Sequence, residues 1–392
     1  VLPALKARRI GDDQIVLTHK FVDGIREYQR NWPGDVVVGM YPTDVESGNL
    51  GETTLDINDL PFRFTWLDPS PARVVEMLQD ARIVFASLVD QHLHLAGPLA
   101  EAGTPLVFVS EYTLKTRKQI IRSETRNPVL RLRRSIWTTQ FEQRIREAVP
   151  LAAGIQCNGT PTYDAYRAIN PNPLLYFDTR VSEADVVDDA TLEGRFESLR
   201  EDAPLRLAYS GRLIAMKGAD HLPLVARALR ARGIPFTMKI CGAGALVPAL
   251  KASIGKFGLD DVVELTGELD FHTELLPYVR AQVDLFVCCH RQGDPSCSYM
   301  ETMACGTPIV GYDNEAFEGI VRSTNVGWLV PMDRPEKMAA VITSLHHDRA
   351  ALVRAATVSR EIASRNTFEK TMETRIAHLL QCTGDRKRRA AS

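Results

Sequence analysis

The chain has 392 residues, of which 45% are hydrophobic and 24% charged, with a formal net charge of −2. This length fits two domains of ordinary size and the composition is that of a soluble globular protein. The near-neutral charge excludes whole-protein attraction to nucleic acid.

No apolar run approaches the roughly 20 residues that span a bilayer, and residues 1–13 lack the apolar core of a signal peptide. The seven cysteines (Cys157, Cys241, Cys288, Cys289, Cys297, Cys305 and Cys382) are odd in number and scattered over apparent strands and helices. Reduced thiols in a cytoplasmic protein are the expectation. Cys288 and Cys289 are adjacent rather than spaced as metal ligands, so no metal is expected.

In chain order, short β-branched runs at 15–18, 35–39, 83–86 and 106–109 alternate with helix-like runs such as 72–79 and 93–102. The alternation predicts parallel βαβ units. Gly24 lies just after the first of these strands, and Glu111 just after the fourth. Residues 114–134 then carry Lys115, Arg117, Lys118, Arg122, Arg126, Arg131, Arg133 and Arg134 against Glu124 alone, with Trp137 and Phe141 beyond. A solvated basic face is the default for such a run. Its density also fits docking at an anionic surface, either a phospholipid leaflet or a diphosphate lipid. It lacks the interleaved aromatics of an RNA-binding face. Asn158-Gly159-Thr160 ends the last strand of this half and is expected to look into a cleft.

Asn170-Pro171-Asn172-Pro173 precedes an acid-rich stretch, 181–201, without a strong apolar period, and we place the domain boundary near residue 178. The second half repeats the style, with strands expected at 205–210, 237–241, 262–266, 285–288 and 307–310 and helices at 221–232 and 247–257. Residues 367–381 read as an amphipathic helix and 383–392 as a frayed basic tail. The expected organisation is an α/β protein: a Rossmann-like domain at 1–178, a second at 179–366, and a C-terminal helix and tail at 367–392 able to pack back on the first domain. Two such domains facing each other place ligands in the cleft, at the carboxyl ends of the strands.

The chemistry concentrates in the second half. Gly211 and Gly218 bracket a loop whose Arg212 and Lys217 suit the oxygens of a diphosphate. Gly242 and Gly244 flank Ala243 after the next strand, and Thr266-Gly267-Glu268 ends another. Residues 293–310 read as a Gly-Asp-Pro turn opening a helix, with Ser296, Cys297 and Ser298 at its start and Glu301 about two turns in. Free amides at a helix start suit a phosphate, and a carboxylate accepts from sugar hydroxyls. Asp294 reads both as an N-cap and as a group able to reach a sugar.

In this order and spacing, the motifs over residues 205–335 resemble the C-terminal domain of retaining glycosyltransferases of family 4, which have the GT-B fold. The resemblance implies that Arg212 and Lys217 neutralise the diphosphate of a nucleotide-sugar donor and that Glu301 holds the ribose hydroxyls. It also implies that the amides near Ser296, Cys297 and Ser298 face the phosphates, with Gly211, Gly242, Gly244 and Gly293 on the donor side. The family has a further glutamate eight positions before Glu301, and here that position is Gly293. In the first half the resemblance is fainter. It matches Gly24 to a glycine-bearing loop and puts Glu111, Lys115 and Asn158 on the acceptor side.

The expected activity is retaining hexosyl transfer to a saccharide or lipid-linked acceptor, in cell-surface polysaccharide or glycoconjugate synthesis. No cofactor, metal or nucleic acid is expected, and the location is cytoplasmic or peripheral at the inner membrane face. A sugar-nucleotide epimerase of similar build and a non-catalytic sugar-nucleotide-binding subunit are the alternatives.

Overall fold

The computed structural model describes residues 1–11, 13–45, 52–199 and 203–389. In the second half, six parallel strands form one sheet in the order Val263–Gly267, Phe236–Cys241, Leu205–Ser210, Leu285–Cys288, Ile309–Tyr312 and Trp328–Val330. The buried runs of the central strands Leu205–Ser210, Leu285–Cys288 and Ile309–Tyr312 are nearly continuous, as helices on both faces require. The strand order reverses between Leu205–Ser210 and Leu285–Cys288. A crevice forms at such a switch point, so the loops after these two strands, which carry Arg212, Lys217 and Asp294, are placed at its rim.

The first half has a parallel sheet in the order Pro173–Tyr176, Gly154–Asn158, Leu106–Ser110 and Val84–Ser87. Its beginning departs from the all-parallel expectation. Ala7–Ile10 and Gln14–Thr18 form an antiparallel hairpin, with Gly11 at φ 68° in the turn, and Glu52–Asp56 pairs antiparallel on the other side of Gln14–Thr18. The three consecutive buried residues Ile15, Val16 and Leu17 look the same in either setting, so the run alone does not reveal direction.

Residues 181–199 are more ordered than the composition of the stretch implies. Helix Asp189–Ser198 is capped by Asp188, whose side chain accepts from the Thr191 amide, and it buries Leu192 and Arg195. The C-terminal helix, Phe368–Arg389, lies on the first half, where Met372, Ile376, Leu379 and Cys382 join Ile15, Leu17, Val38 and Phe85 in one core. The backbone of the expected frayed tail is helical as far as 389, and residues 390–392 lie outside the described residues.

Candidate functional site

The loop after Leu205–Ser210 is held by backbone packing that only glycine permits. Gly218 sits at φ 63°, and a Cβ there would lie 1.9 Å from the Cys289 carbonyl oxygen. A Cβ on Gly242 would lie 2.1 Å from the Gly211 carbonyl oxygen, and one on Gly244 2.5 Å from that of Leu213. The Leu213 amide donates to Ala243 O at 2.7 Å and the Gly211 amide to Cys241 O at 3.1 Å. Gly242 and Gly244 are therefore accounted for by loop-on-loop contact, which fixes the backbone on either side of Arg212.

Arg212 itself is exposed, and its side chain makes no ion pair among the described residues. Lys217 is 6% exposed and donates to Asp294 Oδ2 at 2.6 Å. Asp294 Oδ1 is also buried and has no partner. His290, 1% exposed, packs between the rings of Tyr209 and Tyr299. Burial, then the charges of Lys217 and Arg212, hold its imidazole well below the usual range, so it is neutral.

The expected role of Asp294 as a helix cap is corrected. The helix is Ser298–Ala304, its N-cap is Cys297, and the Asp294 carboxylate turns to Lys217 instead. Glu301 stands in the first turn of this helix rather than two turns in, because the helix starts later than the Gly-Asp-Pro turn. With only seven residues the helix offers a weak dipole, so the amides near Ser296 and Ser298 count for less than the two cations.

Glu301 is 7% exposed and accepts from Arg180 Nε at 2.9 Å. Among the described residues, Arg180 is its only side-chain donor. The Arg180 guanidinium also stacks over Phe271, 4.0 Å from the ring centroid. Arg195 fixes the other end of the Glu301 helix. It is 4% exposed and donates to Cys305 O at 2.9 Å, Arg280 O at 3.1 Å and Thr307 Oγ1 at 3.1 Å, and also to Gly306 O. Burial lowers its pKa to about 10. Neither arginine was found by sequence reasoning. Both come from the stretch between the domains, and neither has a local signal there.

Gly293 is explained by its neighbour. A Cβ there would come within 2.9 Å of Glu315 Cβ, so Glu315 occupies the space a glutamate at 293 would need. Glu315 Oε2 accepts from Thr113 Oγ1 at 3.0 Å, and its other oxygen lies 3.5 Å from Lys115 Nζ. Thr116 Oγ1 donates to Gly293 O at 3.3 Å, and the Gly293 amide donates to Gln119 Oε1 at 3.3 Å. These contacts tie the two halves together beside Asp294.

On the first-half side, a cavity of ≈ 830 Å³ is lined by Gly24, Glu111, Tyr176, Asp178, Arg180 and Arg375, among others. Arg212, Lys217 and Asp294 do not line it; Arg180, through Glu301, connects the two regions. Gly24 lies inside helix His19–Asn31 and not in a loop, because Thr18 caps the helix at once by accepting from the Phe21 amide. Asn158 is 3% exposed, and its Oδ1 accepts from the Asp178 amide at 3.1 Å, which pins the interdomain segment. Lys115 faces Glu315 rather than the cavity. Arg375, from the C-terminal helix, stacks 4.2 Å from the centroid of Tyr176 and donates to Gln156. Tyr112 feels charges of both regions: although 37% of it is exposed, partial burial, then Glu111 and Asp294, push its phenol up to about 12 against the pull of Arg212.

Residues 192–362, somewhat under half of the chain, match the model of the glycosyl transferases group 1 family. Two curated proteins are each similar to part of the chain. A putative colanic acid biosynthesis glycosyltransferase, WcaL, of Salmonella typhimurium is 28% identical over 45% of this chain and 45% of its own length. Alpha-D-kanosaminyltransferase of Streptomyces kanamyceticus is 31% identical over 42% of this chain and 43% of its own. The similarity therefore spans less than half the length of either relative. Among solved structures, Anabaena Alr3699/HepE in complex with UDP superposes with a TM-score of 0.62 at 16% identity, over 92% of this chain and 95% of that one. The fold is GT-B: two Rossmann-like halves facing across a cleft.

Proposed function

We propose that the chain is a glycosyltransferase that moves a sugar from a nucleotide-diphosphate sugar to a saccharide or lipid-linked acceptor, in polysaccharide or glycoconjugate synthesis. The observation that carries this reading is the pairing of buried Lys217 with Asp294, with exposed Arg212 on the same loop at the switch point of the sheet. Two cations at the carboxyl end of a strand suit a leaving diphosphate, where charge builds as the glycosidic bond breaks. The acceptor hydroxyl oxygen forms the new bond to the anomeric carbon, and its proton passes to the departing diphosphate.

In this account Asp294 Oδ1, buried and without a partner, takes a hydroxyl of the donor sugar, which offsets the cost of an orphaned acceptor. Glu301 accepts from the ribose with the oxygen that Arg180 leaves open. The cavity beside Gly24 and Glu111 receives the acceptor. Retention of anomeric configuration belongs to the proposal through the resemblance of the 205–335 motifs. The likeness of residues 192–362 to glycosyltransferases, and of the whole fold to a UDP-bound GT-B structure, supports the reading.

The test is incubation with a panel of nucleotide sugars, with and without saccharides and lipid extract, following nucleoside diphosphate release and the anomeric proton of the product. Acceptor-dependent release supports transfer. Isomerised donor would replace it with an epimerase, and binding without turnover with a binding subunit.

A further inference from the structure

The tip of the helical hairpin formed by Leu114–Glu124 and Pro128–Ala148 is largely exposed, with only Thr125 of the turn buried, where it accepts from Arg134. Residues 126–134 are all exposed, and helix Pro128–Ala148 buries nothing before Thr138. Val129 is 75% exposed, Leu132 63%, Ile136 52% and Trp137 49%. Val129, Leu132 and Ile136 are spaced by three and four residues, so they form one apolar crest. Arg133 borders it, Arg131 stands farther round the same helix and Arg126 lies in the turn before it, all exposed. The acid nearest in sequence, Glu124, stands at the end of the preceding helix.

We propose that this tip is a membrane-docking element that inserts its apolar crest among anionic phospholipid headgroups. An aliphatic crest on a helix whose other faces carry arginines is the composition of an interfacial helix, and the arginines match a negatively charged leaflet. A second copy of the chain is disfavoured as the occupant because the same arginines would face each other. RNA is disfavoured because aliphatic side chains provide no stacking surface.

The placement also suits the transfer reading, though docking does not rest on it. Helix Leu114–Glu124 has 11 residues, about 16 Å at the usual rise. It starts beside Glu111 and Gly293 and ends at the tip. A lipid-borne acceptor held at the membrane would therefore meet the cleft from the first-half side.

The test is sedimentation of the full chain with vesicles of phosphatidylglycerol and phosphatidylcholine in equal parts, and with phosphatidylcholine alone, without donor or acceptor. Binding to the anionic vesicles only is expected, with a blue shift of tryptophan emission that Trp137→Phe abolishes. Arg131→Ser with Arg133→Ser should cut binding at least tenfold. Leu132→Ser with Ile136→Ser should leave only binding that moderate salt releases. All five positions are exposed, so folding is not at stake. Equal binding to both vesicle types, or none at low salt, would overturn the proposal. So would self-association, or retardation of single-stranded RNA, lost in the same variants while vesicles are ignored. Because nothing in this assay reads turnover, its failure is separable from failure of the transferase reading.

Discussion

Lys217 and Asp294 join two loops from opposite sides of the sheet's switch point through one 2.6 Å bond, with side chains only 7% and 13% exposed. A buried pair is costly to break from one side, because the survivor is a charge without a partner. Lys217→Ala is therefore expected to destabilise the protein by about 3–5 kcal/mol as well as to weaken nucleotide binding. Lys217→Met with Asp294→Leu should recover most of the stability and none of the binding. Chemical denaturation of the three proteins checks this. Equal stability of Lys217→Ala and wild type would make the pair energetically idle.

Gly218 and Gly24 should respond oppositely to alanine. At Gly218 the new Cβ meets the Cys289 carbonyl at 1.9 Å and φ is 63°, so a loss above about 2 kcal/mol is expected from strain and clash. At Gly24, inside a helix, nothing lies within 4 Å, and a gain of up to about 1 kcal/mol follows from helix propensity. Thermal unfolding of both variants decides it. Similar shifts of the same sign would contradict the backbone argument.

Arg195 acts on the site through position alone. Arg195→Met leaves the carbonyls of Cys305, Arg280 and Gly306 without their donor, an expected cost of about 2–3 kcal/mol. Nucleoside diphosphate affinity should fall with it, because the Glu301 helix loses its anchor at the far end. Unchanged affinity at a lowered melting temperature would confine Arg195 to stability.

Stability should decline in mild acid. The folded-state pKa of His290 lies well below the ordinary 6.5. Below that value the unfolded chain takes up a proton that the folded chain refuses. Stability is thus highest above pH 6.5 and falls as pH drops, by up to about 1.4 kcal/mol per pH unit from this residue. His290→Gln should make denaturation midpoints less dependent on pH between 7.5 and 5.5. The same slope in both proteins would mean that His290 titrates normally.

Five of the six strands of the second-half sheet were legible in the sequence, the central ones most clearly because they are buried on both faces; the short edge strand Trp328–Val330 was not expected. Leu205–Ser210 and Leu285–Cys288 lie where the β-branched and apolar runs put them. The hairpin at Ala7–Ile10 was not legible, since Arg8 and Arg9 disguise a strand whose pairing depends on the turn at Gly11. Arg212, Lys217, Asp294 and Glu301 were singled out in the sequence by type, spacing and family resemblance. Their partners were not, because contact between residues far apart in the chain leaves no local pattern. Lys217 and Asp294 are 77 positions apart, and Arg180 and Glu301 121. The absence of a side chain at 293 was visible, but its reason, the Glu315 side chain, belongs to packing.

The central claim is that the loop bearing Arg212 binds the diphosphate of a nucleotide sugar. Calorimetric titration of UDP, GDP and ADP into wild type and Arg212→Ala tests it most directly, because Arg212 is exposed and its removal leaves the fold intact. Saturable binding of at least one nucleotide is predicted, weakened about tenfold or more in the variant by loss of a charge-assisted contact, with the melting temperature unchanged. Equal affinity in both proteins, or no binding of any of the three, would contradict the account.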